Sequence, residues 1–266
     1  MNYKLLFPTY RNRWLFVKEN LANYGAKGHF AKTLNLGTGE GDYDPMIAAH
    51  TEQLIACDIN ENDLNFARRL NVHLNNTNYQ AEDALQLSFA DNTFDLLISV
   101  DVMEHVGRPQ RMTEEISRVL RPGGLAFITF PQVHFPWTYD PVNRLLSKFS
   151  DKKIAQGAYA FGHEYLVSGD DFKNWATDNS LEILREKNLS GYFTAASEAY
   201  WTGLLQSIFK ENAGNVSGKK EKKLKMRPTN KEPVLTAVTD AFIGLDYALF
   251  KNSKYSVGKG FVVRKK

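Results

Sequence analysis

Short apolar runs alternate with helix-like stretches between Thr33 and Pro131, and this alternation constrains the fold more than any other feature of the chain. Two stretches between the runs fit helical spacing, one that begins at Asn60 and one whose apolar stripe includes Met112 and Ile116. The alternation predicts βαβ units and a parallel sheet with helices on both faces, an α/β fold. The runs that predict strands are TLNLG (33–37), LIACDI (54–59), YQAED (79–83), FDLLISV (94–100) and GLAFITF (124–130).

Composition narrows the class of protein. Of the 266 residues, 43% are hydrophobic and 24% are charged, as is usual for a soluble globular chain. The single cysteine, Cys57, lies in an apolar run, which excludes an internal disulfide framework and favours a reducing cytosol. The opening stretch MNYKLLFPTYRNRW is interrupted by charge and proline, so we expect neither a signal peptide nor a location outside the cytoplasm.

The stretch TLNLGTGEGDYD, at 33–44, predicts a tight turn that approaches a ligand closely. A phosphate-binding P-loop needs Gly-Lys-Ser/Thr, but Gly41 is followed by Asp42. The dinucleotide fingerprint needs a third glycine where Asp42 stands, and Glu40 beside it would repel a pyrophosphate. The spacing of Gly37, Gly39 and Gly41 therefore favours a cofactor that has a positive centre and no phosphate.

Four segments in order resemble the class I S-adenosylmethionine (SAM)-dependent methyltransferases, in particular the methyltransferase type 11, ubiquinone-pathway-like subgroup. The resemblance covers about residues 30 to 190, with a final strand at 260–265. It implies a seven-stranded, mostly parallel sheet with helices on both faces, a helical insertion before the last strand, and SAM as the cofactor. The segments are LNLGTGEG, ACDIN, AEDALQLSFADNTFDLLISVDVMEHV and LRPGGLAFITFP.

This resemblance implies one methyltransferase domain over residues 1–266. We expect an N-terminal helical segment at 1–30 and a SAM-binding core at 31–193. A helical, basic insertion at 194–256 then precedes a final strand at 257–266.

The resemblance also implies roles for residues around the cofactor. An acid that ends the second strand can accept hydrogen bonds from both ribose hydroxyls, which is the role of Asp58. Asp83 would accept a hydrogen bond from the adenine amino group, and the backbone of Ile59 and Ala84 would contact the adenine ring. The expected cofactor-binding residues are Asn35, Gly37, Thr38, Gly39, Gly41, Asp58, Ile59, Asp83, Ala84 and Asp101.

Asn35 departs from the family pattern, which has Asp or Glu two residues before the first glycine. An amide can still order the turn through hydrogen bonds. It lacks the negative charge that would orient the cationic end of the cofactor, so we expect weaker cofactor binding.

The segment SVDVMEHV follows the fourth predicted strand, where open α/β sheets bind ligands. His105 is the candidate catalytic base, because a hydroxyl acceptor must lose a proton during methyl transfer. Two other readings stay open. Glu104 and His105 can cap the following loop, or they can contribute with Asp101 to a metal site. We expect no resident metal.

Aromatic segments after the fifth strand predict the wall and lid of the acceptor pocket. Their richness favours an apolar or ring-bearing substrate. We expect O-methylation of a small or lipid-linked molecule. A C- or N-methyltransferase on the same fold and a non-catalytic interaction protein are the alternatives. The candidate substrate-binding residues are His134, Trp137, Tyr139 and His163.

A basic segment, SGKKEKKLKMRPTNKEP at 217–233, holds seven Lys or Arg and two Glu, a local charge of +5. The formal net charge of the chain is +3, so the remainder sums to 3 − 5 = −2. Residues 217–231 between two amphipathic stretches allow peripheral contact with an anionic membrane, while a helical cap with a solvated loop is the plainer reading. No aromatic residues are interleaved with the lysines, so we expect no nucleic-acid partner. The oligomeric state stays open.

Overall fold

The computed structural model describes residues 2–25, 30–133, 148–150, 167–197 and 231–266. The chain divides into two compact units. The larger consists of Arg13–Gln132, Glu164–Lys187 and Gly258–Lys266, and the smaller of Met1–Asn12, Val133–His163 and Asn188–Val257.

A seven-stranded sheet forms the centre of the larger unit, in the order β3-β2-β1-β4-β5-β7-β6. The pairs from β3 to β5 are parallel, and β7 runs antiparallel to β5. The predicted α/β fold with a seven-stranded, mostly parallel sheet is therefore confirmed. The strands are β1 (Phe30–Leu36), β2 (Thr51–Asp58), β3 (Thr77–Ala81), β4 (Phe94–Val100), β5 (Leu120–Pro131), β6 (Leu181–Asn188) and β7 (Gly258–Lys265).

Helices accompany the strands, and side chains that accept hydrogen bonds from the backbone begin two of them. Asn60 caps α3 by accepting from the Asn62 amide at 3.1 Å. Ser168 caps α5 by accepting from the Asp170 amide at 3.2 Å, as its sequence predicts. No helix in the described ranges is both long and apolar enough to cross a membrane. The helices are α1 (Pro8–Gly25), α2 (Asp44–Ala48), α3 (Glu61–Leu70), α4 (Pro109–Val119), α5 (Gly169–Asp178), α6 (Tyr192–Ser197) and α7 (Thr236–Phe250), with 3₁₀ turns at Tyr3–Leu6 and Met103–His105.

The core of the larger unit lies between the sheet and its helices. Met112 and Ile116 of the predicted stripe on α4 are fully buried, and β4 is buried along nearly its whole length. One boundary differs from expectation. The fifth strand, predicted at 124–130, already begins at Leu120, and Gly123 (φ +81°) lies within the irregularity in its pairing with β4 between Leu120 and Leu125.

Candidate cofactor and acceptor site

The candidate site lies at the carboxyl ends of β1 and β4, neighbouring parallel strands that end at Leu36 and Val100. From β1 the chain continues to β2 and β3 on one side of the sheet, and returns to β4 on the other. Such a reversal of strand order opens a crevice in which α/β proteins bind ligands.

Three glycines with positive φ form the turn after β1: Gly37 (+77°), Gly39 (+54°) and Gly41 (+79°). A Cβ on Gly37 would lie 2.2 Å from the Cγ2 of Val102, and one on Gly41 would lie 2.6 Å from the Nδ2 of Asn71. A Cβ on Gly39 would meet no atom within 4 Å. Packing therefore requires the outer two glycines, while the middle one presents its bare backbone to open space.

Asp58, the last residue of β2, holds this turn from the next strand. Its Oδ2 accepts a hydrogen bond from the amide of Gly39 at 2.8 Å, and its Oδ1 accepts from the amide of Asn60 at 2.9 Å. Each carboxylate oxygen has a further lone pair, and the residue is partly exposed. The structure thus brings together two of the predicted cofactor residues and leaves the carboxylate able to accept from a ligand.

Asn35 lies in a buried network whose carboxylate comes from Asp44, at the first position of α2. The Nδ2 of Asn35 donates to the Oγ1 of Thr38 at 3.0 Å and to the Oδ1 of Asp44 at 2.7 Å. Asp44 also accepts from the hydroxyls of Thr38 at 2.7 Å and Tyr79 at 2.8 Å. The acid that the family pattern places at position 35 is therefore replaced here by an amide that binds another buried acid.

Asp44 is fully buried beneath the glycine turn. Burial raises the pKa of its carboxyl above the ordinary value, although the donors Thr38, Asn35 and Tyr79 oppose that shift. The sequence analysis did not single out Asp44. The signal available was an acidic residue directly before Pro45, a common arrangement at the first turn of a helix.

The residues predicted to surround adenine lie near the ends of β2 and β3. Asp83 is exposed, and its Oδ1 accepts from the Leu85 amide at 2.8 Å. Ile59 is 75% exposed, while Ala84 is buried in the core. The carboxylate of Asp83 and the side chain of Ile59 are therefore both accessible to a ligand.

Asp101, directly after β4, has a left-handed backbone (φ +52°) and forms an ion pair with Arg13 of α1. Its Oδ1 also accepts from the hydroxyl of Thr129 at 2.8 Å. Arg13 is buried, and the neighbouring Trp14 packs on the ring of Tyr43 with centroids 5.2 Å apart. Sequence reasoning missed Arg13. Its sequence signal is an arginine next to Trp14, the first residue of the apolar face of α1.

Glu104 and His105 lie together in the 3₁₀ turn after β4. Glu104 is 1% exposed and the His105 side chain is 43% exposed, with 4.0 Å between the Glu104 Oε1 and the His105 Nε2. Burial, reinforced by the negative charge of Asp101, raises the pKa of Glu104 well above its ordinary value. This arrangement places an accessible imidazole over a buried carboxyl group.

The remaining predictions concern a metal site and the acceptor pocket. Among the described ranges, no three His, Cys, Asp or Glu side chains are grouped so that they could hold a metal ion. The predicted substrate-binding residues His134, Trp137, Tyr139 and His163 lie outside the described residues.

Comparison with known proteins agrees with this geometry. A family model described as a methyltransferase domain matches residues 34–128. Over 189 residues, the chain is 33% identical to the ubiquinone/menaquinone biosynthesis C-methyltransferase UbiE of Haemophilus ducreyi, covering 64% of this chain and 71% of that protein. The chain belongs to the class I SAM-dependent methyltransferases. This methyltransferase therefore uses SAM as its cofactor, and the predicted ubiquinone-pathway-like subgroup is confirmed.

Other relatives of the methyltransferase differ in their reactions. It is 29% identical over 169 residues to a ubiquinone biosynthesis O-methyltransferase of Parvibaculum lavamentivorans, covering 59% of this chain and 60% of that protein. It is 30% identical over 137 residues to the biotin biosynthesis bifunctional protein BioHC of Cellvibrio japonicus, but spans only 27% of that protein. A SAM-dependent methyltransferase structure from Mesorhizobium loti has a TM-score of 0.54 at 14% identity, covering 90% of this chain and 92% of that one, which confirms the fold.

Proposed function

We propose that the methyltransferase transfers a methyl group to a hydroxyl oxygen of a small or lipid-linked acceptor. The observation that carries this proposal is His105, an accessible imidazole at the carboxyl end of β4. A hydroxyl is a poor nucleophile until its proton is removed, and an imidazole is the side chain best suited to remove it near neutral pH. The acceptor then lies against the end of the strand next to the glycine turn.

The residues around the glycine turn fit SAM. In our assignment, Asp58 accepts from the ribose hydroxyls, because each of its oxygens has used only one lone pair on the protein. Asp83 accepts from the adenine amino group, and Ile59 and Ala84 contact the ring. The bare backbone at Gly39 allows close approach of the cofactor. SAM, when bound, supplies an electrophilic methyl carbon bonded to a positive sulfur.

We assign the orientation of the cofactor's charged end to the network beneath the turn. Asp44 supplies a buried carboxylate there, in contact with Asn35 and Thr38. Asp101 contributes a second carboxylate, which its ion pair with Arg13 holds in place. Gly37 and Gly41 bring the turn close to these groups, because each packs where a side chain would clash.

The proposed proton transfer involves His105 and Glu104. The neutral imidazole of His105 takes the proton of the acceptor hydroxyl and becomes positively charged. The positive charge on the ring, 4.0 Å from the buried carboxyl of Glu104, would in turn favour ionisation of that carboxyl. Alignment of the acceptor and exclusion of water supply the rest of the rate enhancement.

C-methylation is the second candidate, and the relative named as a C-methyltransferase favours it. In that case His105 would support the loop instead of acting as the base. N-methylation on the same fold would also leave His105 without a catalytic role. We further propose a cytoplasmic location, with the buried free thiol of Cys57 as its support.

The experiment that tests the proposal uses SAM carrying a deuterated methyl group. The acceptors are a catechol that bears a short isoprenyl chain and the dimethyl ether of the same catechol. O-methylation predicts a labelled ether from the catechol and no product from the dimethyl ether. Label on a ring carbon of either compound would replace the proposal with C-methylation.

A further inference from the structure

Helix α7 of the smaller unit presents its apolar side chains to solvent. Leu235 is 65% exposed, Val238 69%, Leu245 55% and Leu249 58%. With Phe242, these residues follow one another at intervals of three or four, so they form a single stripe along the helix. We call this stripe the apolar face of α7. Exposed apolar stripes of this kind mark surfaces that interact with another apolar phase.

An adjacent side of α7 is buried and mostly polar, formed by Thr236, Thr239, Ile243 and Asp246. Asp246 is 1% exposed and accepts hydrogen bonds from the Gly191 amide at 2.6 Å, the Phe193 amide at 3.0 Å and the Thr194 hydroxyl at 2.9 Å. Thr239 is likewise buried and donates to the Leu6 carbonyl at 3.3 Å. An ordinary surface helix packs its apolar side inward, whereas α7 buries mostly polar side chains.

The second acid of α7 is also engaged within the unit. Asp240 accepts two hydrogen bonds from Arg11, from Nε at 2.7 Å and from Nη2 at 2.9 Å. Arg11 also donates to Glu232 at 3.1 Å, so one buried guanidinium holds both carboxylates. Neither acid of α7 belongs to the apolar face, and the charge of Asp240 is paired with Arg11.

Positive charge lies at both ends of α7. Lys251 and Lys254 follow the helix and are exposed. Lys231, which is also exposed, lies five residues before the helix and belongs to the basic segment at 217–233, whose charge in sequence is +5. An apolar helix face combined with clustered lysines matches the two requirements for binding at the surface of an anionic bilayer.

We propose that the apolar face of α7 docks the protein on an anionic lipid bilayer. Leu235, Val238, Leu245 and Leu249 enter the boundary of the acyl chains, and Lys231, Lys251 and Lys254 contact the headgroups. Charge favours this occupant over a second copy of the chain, since pairing two copies through this face would bring Lys231, Lys251 and Lys254 of both copies together. Docking would also give the enzyme access to acceptors held in a membrane, but it does not depend on which atom is methylated.

The test is co-sedimentation of the full chain with vesicles, without any methyl acceptor, so its result is independent of the proposed reaction. One set of vesicles is phosphatidylcholine and the other is phosphatidylcholine mixed with phosphatidylglycerol. We expect binding to the anionic vesicles at low salt and weaker binding at high salt. Leu245→Gln with Leu249→Gln should lower the partition coefficient by about tenfold or more, because the two leucines lose their apolar contact.

A matched control is Val72→Gln, which replaces an apolar side chain that is 80% exposed outside the smaller unit. This variant should bind vesicles as the wild type does. Replacing Lys231, Lys251 and Lys254 by Gln should weaken binding to anionic vesicles and reduce its salt dependence. Equal binding by the wild type and the double leucine variant would overturn the proposal.

Two further outcomes would also overturn it. A dimer in sedimentation velocity that the double leucine variant abolishes, with no vesicle binding, would assign the face to a second copy. Loss of thermal stability in that variant, with no vesicle binding by the wild type, would assign the face to another segment of the same chain. Circular dichroism confirms that each variant is folded before it is compared.

Discussion

The side-chain amide of Asn35 donates a hydrogen bond to the carboxylate of Asp44 across 2.7 Å, beneath the glycine turn. Both residues are buried, and the hydroxyls of Thr38 and Tyr79 complete the shell around the carboxylate. Asn35, Thr38 and Tyr79 thus all donate hydrogen bonds to one negative charge, the carboxylate of Asp44. The position of that charge, on α2 instead of β1, distinguishes this chain from the family pattern.

Exchange of the two side chains tests this relationship. Asn35→Asp restores the family pattern, but we expect it to lower the free energy of unfolding by about 1–3 kcal/mol, because two buried carboxyls then face each other. Asp44→Asn should cost a similar amount, since an amide nitrogen then faces the donors that Asp44 accepts. The double exchange should recover most of the loss. Strictly additive effects in urea denaturation would contradict the shared network.

The glycine turn gives a pair of substitutions with different outcomes. Gly37→Ala should destabilise the protein by about 3 kcal/mol, because its Cβ clashes with Val102 and φ is positive. Gly39→Ala should cost only about 1 kcal/mol, since its Cβ meets no protein atom.

For SAM affinity we expect the opposite order, with a larger loss in Gly39→Ala than in Gly37→Ala. The folded Gly39→Ala protein is expected to lose at least about tenfold in SAM affinity by calorimetry, because a methyl group then occupies the space that the cofactor approaches. Unchanged affinity would show that the cofactor does not approach the turn at Gly39. Asp58→Ala serves as a second variant, which removes the proposed ribose contact together with the hydrogen bond to the Gly39 amide.

The raised pKa of Glu104 predicts that the stability of the protein depends on pH. Its pKa is raised in the folded state, so the folded protein holds a proton that the unfolded chain has released above its ordinary pKa. Between those two values, stability falls as pH rises, by about 1.4 kcal/mol per pH unit for one proton. Glu104→Gln lacks this proton and should be less sensitive to pH.

Comparing the wild type with Glu104→Gln isolates the contribution of Glu104 to the pH dependence of stability. The variant minus wild-type difference in the free energy of unfolding should increase in favour of Glu104→Gln as pH rises from the acid range toward neutrality. Carboxyls with lowered pKa, such as Glu19 and Glu115, act in the opposite direction but contribute equally to both proteins. A difference that does not change with pH would contradict the raised pKa of Glu104.

Local patterns in the sequence predicted the strands, the glycine turn and the acid at the end of β2. Each depends on neighbours in the chain, such as the apolar run FDLLISV that became β4. The ion pair of Arg13 with Asp101 and the contact of Asn35 with Asp44 could not be predicted in this way. Both join separate elements, and which side chains meet depends on the packing of α1 and α2 against the sheet.

The exposure of the apolar face of α7 could not be predicted for a related reason. The sequence predicted the helical spacing of Leu235, Val238 and Leu245, and such a stripe normally packs inward. The direction of the helix is set by Asp246, whose carboxylate binds the amino end of α6 and turns the polar side inward. That contact joins residues far apart in sequence.

The most direct test of the proposed reaction measures how the effect of His105→Ala depends on the acidity of the acceptor. On a weakly acidic phenol, kcat/KM should fall by about 10²–10⁴-fold, because the variant has no base to remove the proton. On a phenol of the same shape that is already ionised at the assay pH, the variant should retain most of the wild-type value. Equal losses on the two acceptors, or no loss on either, would contradict the role of His105 as the base.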